Sequence, residues 1–344
     1  MLELHELGAL AAAWCCVALL AASVWALLRR CPEVPAPTNP PPEWSGHHLA
    51  AAFLVFWLMP ALALPLISPD ALARWCYGSP VSDAVSKSLT LAAASLLTLP
   101  LQLAAWYALA VSAQVNPPAR RTMVHWLSDT RSAMKTWLAL TPIVFVVFVG
   151  SVLGYTFLFG RPEEHPLLAP FQGATPLIVV MLLAVEAIIA APIREELLFR
   201  GVLLPWMAAR DRAGDGGMVF AALAVPLVRW LNGAEILPVA ASGLASTALA
   251  ATLWIASRLV GERWISAEAP PESDSVRRRA AVRAVFGSAA IFAVCHWAVP
   301  PTPVPLAVLA VGLGFLALRT QGVFAPILVH ALFNAVAFME LVIR

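Results

Sequence analysis

The chain has 344 residues, 60% of them hydrophobic and only 12% charged, with a formal net charge of +2 and a mean hydropathy of +0.80. Soluble domains carry about 25% charged residues, so this composition excludes an ordinary soluble enzyme, and the small net charge excludes a nucleic-acid binder. The five cysteines (Cys15, Cys16, Cys31, Cys76 and Cys295) make no C-x-x-C pair; they read as buried thiols rather than as a zinc ribbon or a disulfide framework.

A membrane-spanning helix needs about 20 mostly apolar residues. The first such stretch is 7–28. Glu3 and Glu6 precede it and Arg29 and Arg30 follow it, the pattern of a retained helix rather than of a cleaved signal. A proline-rich connector, 31–44, leads to further stretches at 49–67, 88–112, 138–159 and 175–208. Residues 218–231 are short and contain Pro226, and read as half of a hairpin or an interfacial segment. The remaining stretches are 236–259, 281–299, 303–320 and 323–342, with the longest polar loop at 261–279. The expected fold is therefore all-α, a polytopic transmembrane bundle with a polar cavity near mid-membrane. Two parts are expected: 1–174, with about four helices and the proline-rich loop, and 175–344, which holds an inserted segment at about 211–280. Lys and Arg cluster after the first, third and fifth stretches, while 68–87 and 160–174 are less basic; the N-terminus is expected outside.

The stretch "AIIAAPIREELLFRGVLL" (187–204) places ionisable side chains inside an apolar span. Each such group costs roughly 2.5–3.5 kcal/mol or more at the bilayer centre. Glu196 and Arg200 stand at i, i+4 and can pair. Glu195 lies about 100° around the helix and need not share that partner. Pro192 removes a backbone hydrogen bond. Glu186 reads as lining an access path or pairing with another helix. Further on, Phe292 and His296 stand at i, i+4, and so do His330 and Asn334.

Helix rise puts His296 roughly 21 Å into its span and His330 roughly 10 Å into the last one. Both then fall near the midplane, at a depth comparable to that of Glu195. A carboxylate and two imidazoles at one depth suit hydrolysis by activated water: Glu as general base, His to position water or take a proton, and Asn to donate to an oxyanion. Zinc would find ligands in Glu195, His296 and His330, with water as the fourth. No H-E-x-x-H motif occurs.

E-E-x-x-x-R (Glu195, Glu196, Arg200), F-x-x-x-H (Phe292, His296) and H-x-x-x-N (His330, Asn334), in that order, resemble the CPBP family of intramembrane proteases. That family includes the type II CAAX prenyl proteases and the bacteriocin-processing, lysostaphin-resistance-like proteins. The resemblance covers about 175–209 and 281–342. It implies an intramembrane endopeptidase acting on membrane-associated peptides or proteins, prenylated ones among them, in a multi-pass protein of the plasma (inner) membrane if bacterial. It implies catalytic roles for Glu195 and His296 on the attacking water and for His330 and Asn334 on the oxyanion. Glu196, Arg200 and Phe292 would support them, and the family leaves open whether a metal is needed. The 100 residues between Glu196 and His296 depart from the expected spacing. Two other classes fit buried Glu and His: a proton-coupled transporter, which should show two repeated halves that are absent here, and a non-catalytic scaffold or immunity protein.

Overall fold

The computed structural model describes residues 43–113, 123–160, 170–171, 175–266, 272–299 and 301–343. Those residues form helices and no strand. In chain order they are α1 (Gly46–Ala63), α2 (Pro69–Tyr77), α3 (Asp83–Ser112), α4 (Met123–Phe159), α5 (Leu177–Ala208), α6 (Ala213–Leu231), α7 (Ile236–Ser266), α8 (Glu272–Cys295), α9 (Pro303–Thr320) and α10 (Phe324–Ile343). The expected all-α class holds. Eight of the helices, all but α2 and α8, are long and apolar enough to cross a membrane. The first expected span, 7–28, the connector as far as residue 42, and Cys15, Cys16 and Cys31 lie outside the described residues.

One expectation is settled and another changes. Residues 218–231 belong to a longer continuous helix, α6, which runs through Pro226. Of the two readings the hairpin one holds, since α6 turns back after Leu231 and packs along α7, which begins at Ile236. The span expected at 281–299 is shifted: α8 begins at Glu272, carries Arg277, Arg278, Arg279 and Arg283, and ends at Cys295. At its end the His296 and Trp297 N–H groups bond three residues back, to Ala293 O and Val294 O. The prolines at 300 and 301, which lack the helical N–H, prevent the helix from resuming. His296 therefore sits just past a helix end and not 14 residues into a span.

The described chain divides into two compact units that alternate along the sequence. One contains α1, α2, α3, α4 up to Ala133, α5 and α10. Its core gathers Cys76, Val85, Leu89, Ala92, Val179, Leu183 and Phe338. Phe199 of α5, 1% exposed, meets Phe53 of α1 edge to face at 6.1 Å. The other unit contains the rest of α4 and helices α6 to α9. There α6 and α8 cross at Gly214 and Gly287: a Cβ on Gly287 would lie 2.8 Å from Gly214 Cα, so only glycine permits this approach.

Prolines inside α1 and α6 create a second packing rule. Pro60 has no N–H to give Phe56, four residues earlier, and Gln102 Nε2 of α3 donates to the Phe56 carbonyl at 3.2 Å instead. Pro226 likewise vacates Ala222, and Ser246 Oγ of α7 donates there at 2.8 Å. Both donors are fully buried. In lipid no water can fill such a gap, so a neighbouring helix must. Gln102→Leu is expected to lower stability by about 1–3 kcal/mol, read as a fall in thermal midpoint in detergent. Adding Pro60→Ala, which restores the N–H, should recover most of the loss; an unchanged midpoint in Gln102→Leu would contradict the account.

Candidate active site

Helix α5 is not uniform. Two π-helical segments, Val185–Ala190 and Leu197–Leu203, flank a short α-helical stretch, Ala191–Glu196. Such segments are rare and tend to mark functional sites. Here the stretch between them carries Pro192, Arg194, Glu195 and Glu196. In the first π segment the Ala191 N–H bonds five residues back, to Glu186 O. The next donor in that register would be residue 192, a proline, so the Ala187 carbonyl receives nothing from its own helix. Asn334 Nδ2 of α10 donates to it at 2.8 Å. One hydrogen of the Asn334 amide is thus spent on a backbone gap, a duty that the H-x-x-x-N motif alone does not reveal.

The expected i, i+4 pair forms: Arg200 Nη1 donates to Glu196 Oε1 at 2.8 Å, with both side chains almost wholly buried. The same oxygen lies 2.8 Å from His330 Nδ1. An ionised carboxylate only accepts, so Nδ1 carries the proton and donates. The other ring nitrogen, Nε2, faces Glu195 Oε2 at 3.8 Å. That is too long for a direct hydrogen bond. One imidazole is therefore clasped between adjacent carboxylates of α5. The two carboxylates differ sharply in access, since the Glu195 side chain is 26% exposed and that of Glu196 is 0%.

A second ion pair, which sequence reasoning missed, lies at the preceding turns. Arg194 Nη2 donates to Glu186 Oε1 at 2.6 Å, and Ser95 Oγ of α3 donates to the same oxygen at 2.7 Å. Eight residues turn an ideal α-helix about 80° past registry, so the pair is invisible to an α-helical reading. The intervening π segment absorbs roughly one residue and restores the alignment. Glu186 thus pairs first with its own helix.

Phe292 and His296 belong to the other unit. Past the end of α8 the chain tightens, with the His296 N–H bonding Ala293 O at 3.0 Å. His296 Nδ1 then lies 2.9 Å from the Phe292 carbonyl and donates to it. Phe292 is fully buried, and its ring backs the imidazole at 4.8 Å between centroids. The F-x-x-x-H spacing thereby fixes both orientation and tautomer, leaving Nε2 as the lone-pair nitrogen. Cys295 is exposed rather than buried; Cys76 is buried as expected.

Glu195 Oε2 and His330 Nε2 are donors of the type zinc takes, with the far nitrogen of the ring held by a carboxylate as in metal-ligating histidines. Among the described residues, however, no three His, Cys, Asp or Glu side chains form a metal-holding group.

Residues 176–260 and 271–336 match the sequence model of a known family, described as Type II CAAX prenyl endopeptidase Rce1-like. All seven motif residues fall within these stretches. No curated protein and no solved structure is significantly similar to the chain. The match agrees with the resemblance read from the motifs. Together with the eight apolar helices it indicates an integral, multi-pass membrane protein.

Arg200→Met would leave the Glu196 carboxylate buried without its cation. A loss of about 3–5 kcal/mol is expected, whereas Glu195→Gln, at a partly exposed position, should cost less than about 1 kcal/mol. Thermal unfolding in detergent distinguishes the two, and equal midpoints would contradict the assignment of the buried pair.

Proposed function

We propose that the chain is an intramembrane endopeptidase that hydrolyses peptide bonds of membrane-associated peptides or proteins, lipid-modified ones among them. The observation that carries the reading is the clasp on His330, with Nδ1 2.8 Å from Glu196 Oε1 and Nε2 3.8 Å from Glu195 Oε2. Two acceptors at that separation, one on a partly exposed carboxylate, suit a water that donates a hydrogen to each. The family match supports a protease on independent grounds.

In this mechanism Glu195 takes a proton from the water as its oxygen attacks the scissile carbonyl carbon. The carbonyl oxygen becomes an oxyanion, which the remaining hydrogen of the Asn334 amide is suited to bind. The tetrahedral intermediate collapses with cleavage of the C–N bond. Glu195 returns its proton to the leaving amine, and the products are a carboxylic acid and an amine, which exchange a proton to leave as carboxylate and ammonium. His330, with its proton held on Nδ1 by Glu196, acts as a holder of water through Nε2. That differs from the oxyanion role the motif resemblance implies, because a lone pair cannot donate. Glu196 and Arg200 are positioning residues: they hold the imidazole and its tautomer without touching the reacting atoms. His296 keeps the share in water activation that the resemblance gives it, with Phe292 fixing its ring.

No step runs through a metal. A chelator separates the alternatives: activity that survives it belongs to the side chains alone. Activity lost to the chelator and restored by zinc would make Glu195 and His330 ligands.

The decisive assay presents the purified protein in detergent with prenylated and unprenylated reporter peptides. Glu195→Gln should lower kcat by about two to four orders of magnitude with its thermal midpoint near that of the unaltered protein. His330→Gln and His296→Ala should also be strongly impaired. Cleavage by Glu195→Gln at the unaltered rate would sink the mechanism.

A further inference from the structure

The unit built from α6 to α9 holds a cavity of about 430 Å3, lined by Asp211, Arg212, Asp215, Trp254, Arg258 and Arg283. It lies where the start of α6 meets the later part of α7 and the middle of α8. That volume is in the range of small-molecule sites, about 300–1,000 Å3, yet five of its six lining residues are charged.

The charges are unequal. Both carboxylates are engaged: Arg258 Nη2 donates to the two Asp215 oxygens at 3.3 and 3.2 Å. Arg283 Nη1 lies 3.4 Å from Asp211 Oδ1 and 3.7 Å from Asp215 Oδ2. The cationic side has capacity left over. Arg212 makes no ion pair with any described residue, and Arg258 Nε is buried without a hydrogen-bond partner. Three guanidinium groups against two carboxylates leave the cavity one positive charge in excess. An ammonium group would meet this net positive charge, whereas a monoanionic phosphodiester would find both donors and charge. The Arg258 guanidinium is held over the Trp254 ring at 5.0 Å, which fixes its direction.

The surroundings specify the rest of the ligand. Val219 and Phe220 on α6, and Ile255 and Leu259 on α7, are all more than half exposed on helices apolar enough to span a membrane. Exposed apolar faces on such helices are where acyl chains lie, and basic pockets between spanning helices take lipid head groups.

We infer that this cavity binds the head group of an anionic phospholipid, with the phosphodiester on Arg212 and Arg258 and the acyl chains along the exposed faces of α6 and α7. The inference is independent of the proposed peptidase chemistry, because none of its residues belongs to the candidate active site.

The test is native mass spectrometry of the purified full chain with added phosphatidylglycerol or phosphatidylcholine, with inorganic phosphate as competitor. The unaltered protein should bind phosphatidylglycerol about tenfold more tightly than phosphatidylcholine, and Arg212→Ala and Arg258→Gln should each remove about that factor. Arg212 holds no partner whose loss would unfold the chain, so its variant remains informative if Arg258→Gln does not fold. Equal retention of the two lipids, or unaltered phosphatidylglycerol binding in Arg212→Ala, would overturn the inference. So would displacement by inorganic phosphate at the concentration at which phosphatidylglycerol binds, which would mark a site for free anions.

Discussion

A helix surrounded by apolar side chains and lipid has no water to complete its hydrogen bonds, so each polar group must be answered from within the protein. Much of what is distinctive here follows from that constraint. At Pro60 in α1, Pro192 in α5 and Pro226 in α6, a side chain of another helix supplies the missing donor: Gln102 to Phe56, Asn334 to Ala187, and Ser246 to Ala222. The prolines thereby become points of attachment. Each bond ties a backbone position to one particular residue elsewhere in the chain, and so specifies how two helices pair as well as how strongly.

The same rule governs the charged residues of α5. A single oxygen of Glu196 accepts from both Arg200 and His330. This one carboxylate neutralises a buried guanidinium, fixes the His330 tautomer and draws α10 onto α5. Glu195, chemically identical and next in the chain, is turned by about 100° into a place where a quarter of its side chain is exposed. One glutamate holds its neighbours in place and the other stays accessible. Environment divides the labour between them, since residue type does not.

The two π segments make this arrangement possible. By widening α5 on either side of Ala191–Glu196, they shift the faces on which Glu186, Arg194, Glu195 and Glu196 emerge. Glu186 and Arg194 can then pair eight residues apart, and Ala187 is left for Asn334. The cost of irregular backbone is offset by partners on α3 and α10, where Ser95 and Asn334 sit.

Local pattern by itself determined the helical class, most of the apolar spans among the described residues and the three polar motifs, because hydrophobic run length and i, i+4 spacing are properties of a single segment. The pairs Glu196–Arg200 and Phe292–His296 were legible for that reason. Only tertiary structure decided that α6 is whole despite Pro226, that α5 changes register twice, and that Arg194 answers Glu186. Each depends on a donor or acceptor brought from a distant part of the chain, such as Ser246, Asn334 or Ser95. It likewise decided that His330 Nδ1 meets Glu196 while Nε2 faces Glu195, a distinction no spacing can encode, since it rests on which side of α10 lies against α5. Periodicity reports the face a residue occupies; which group it meets there depends on how helices far apart in the chain pack together.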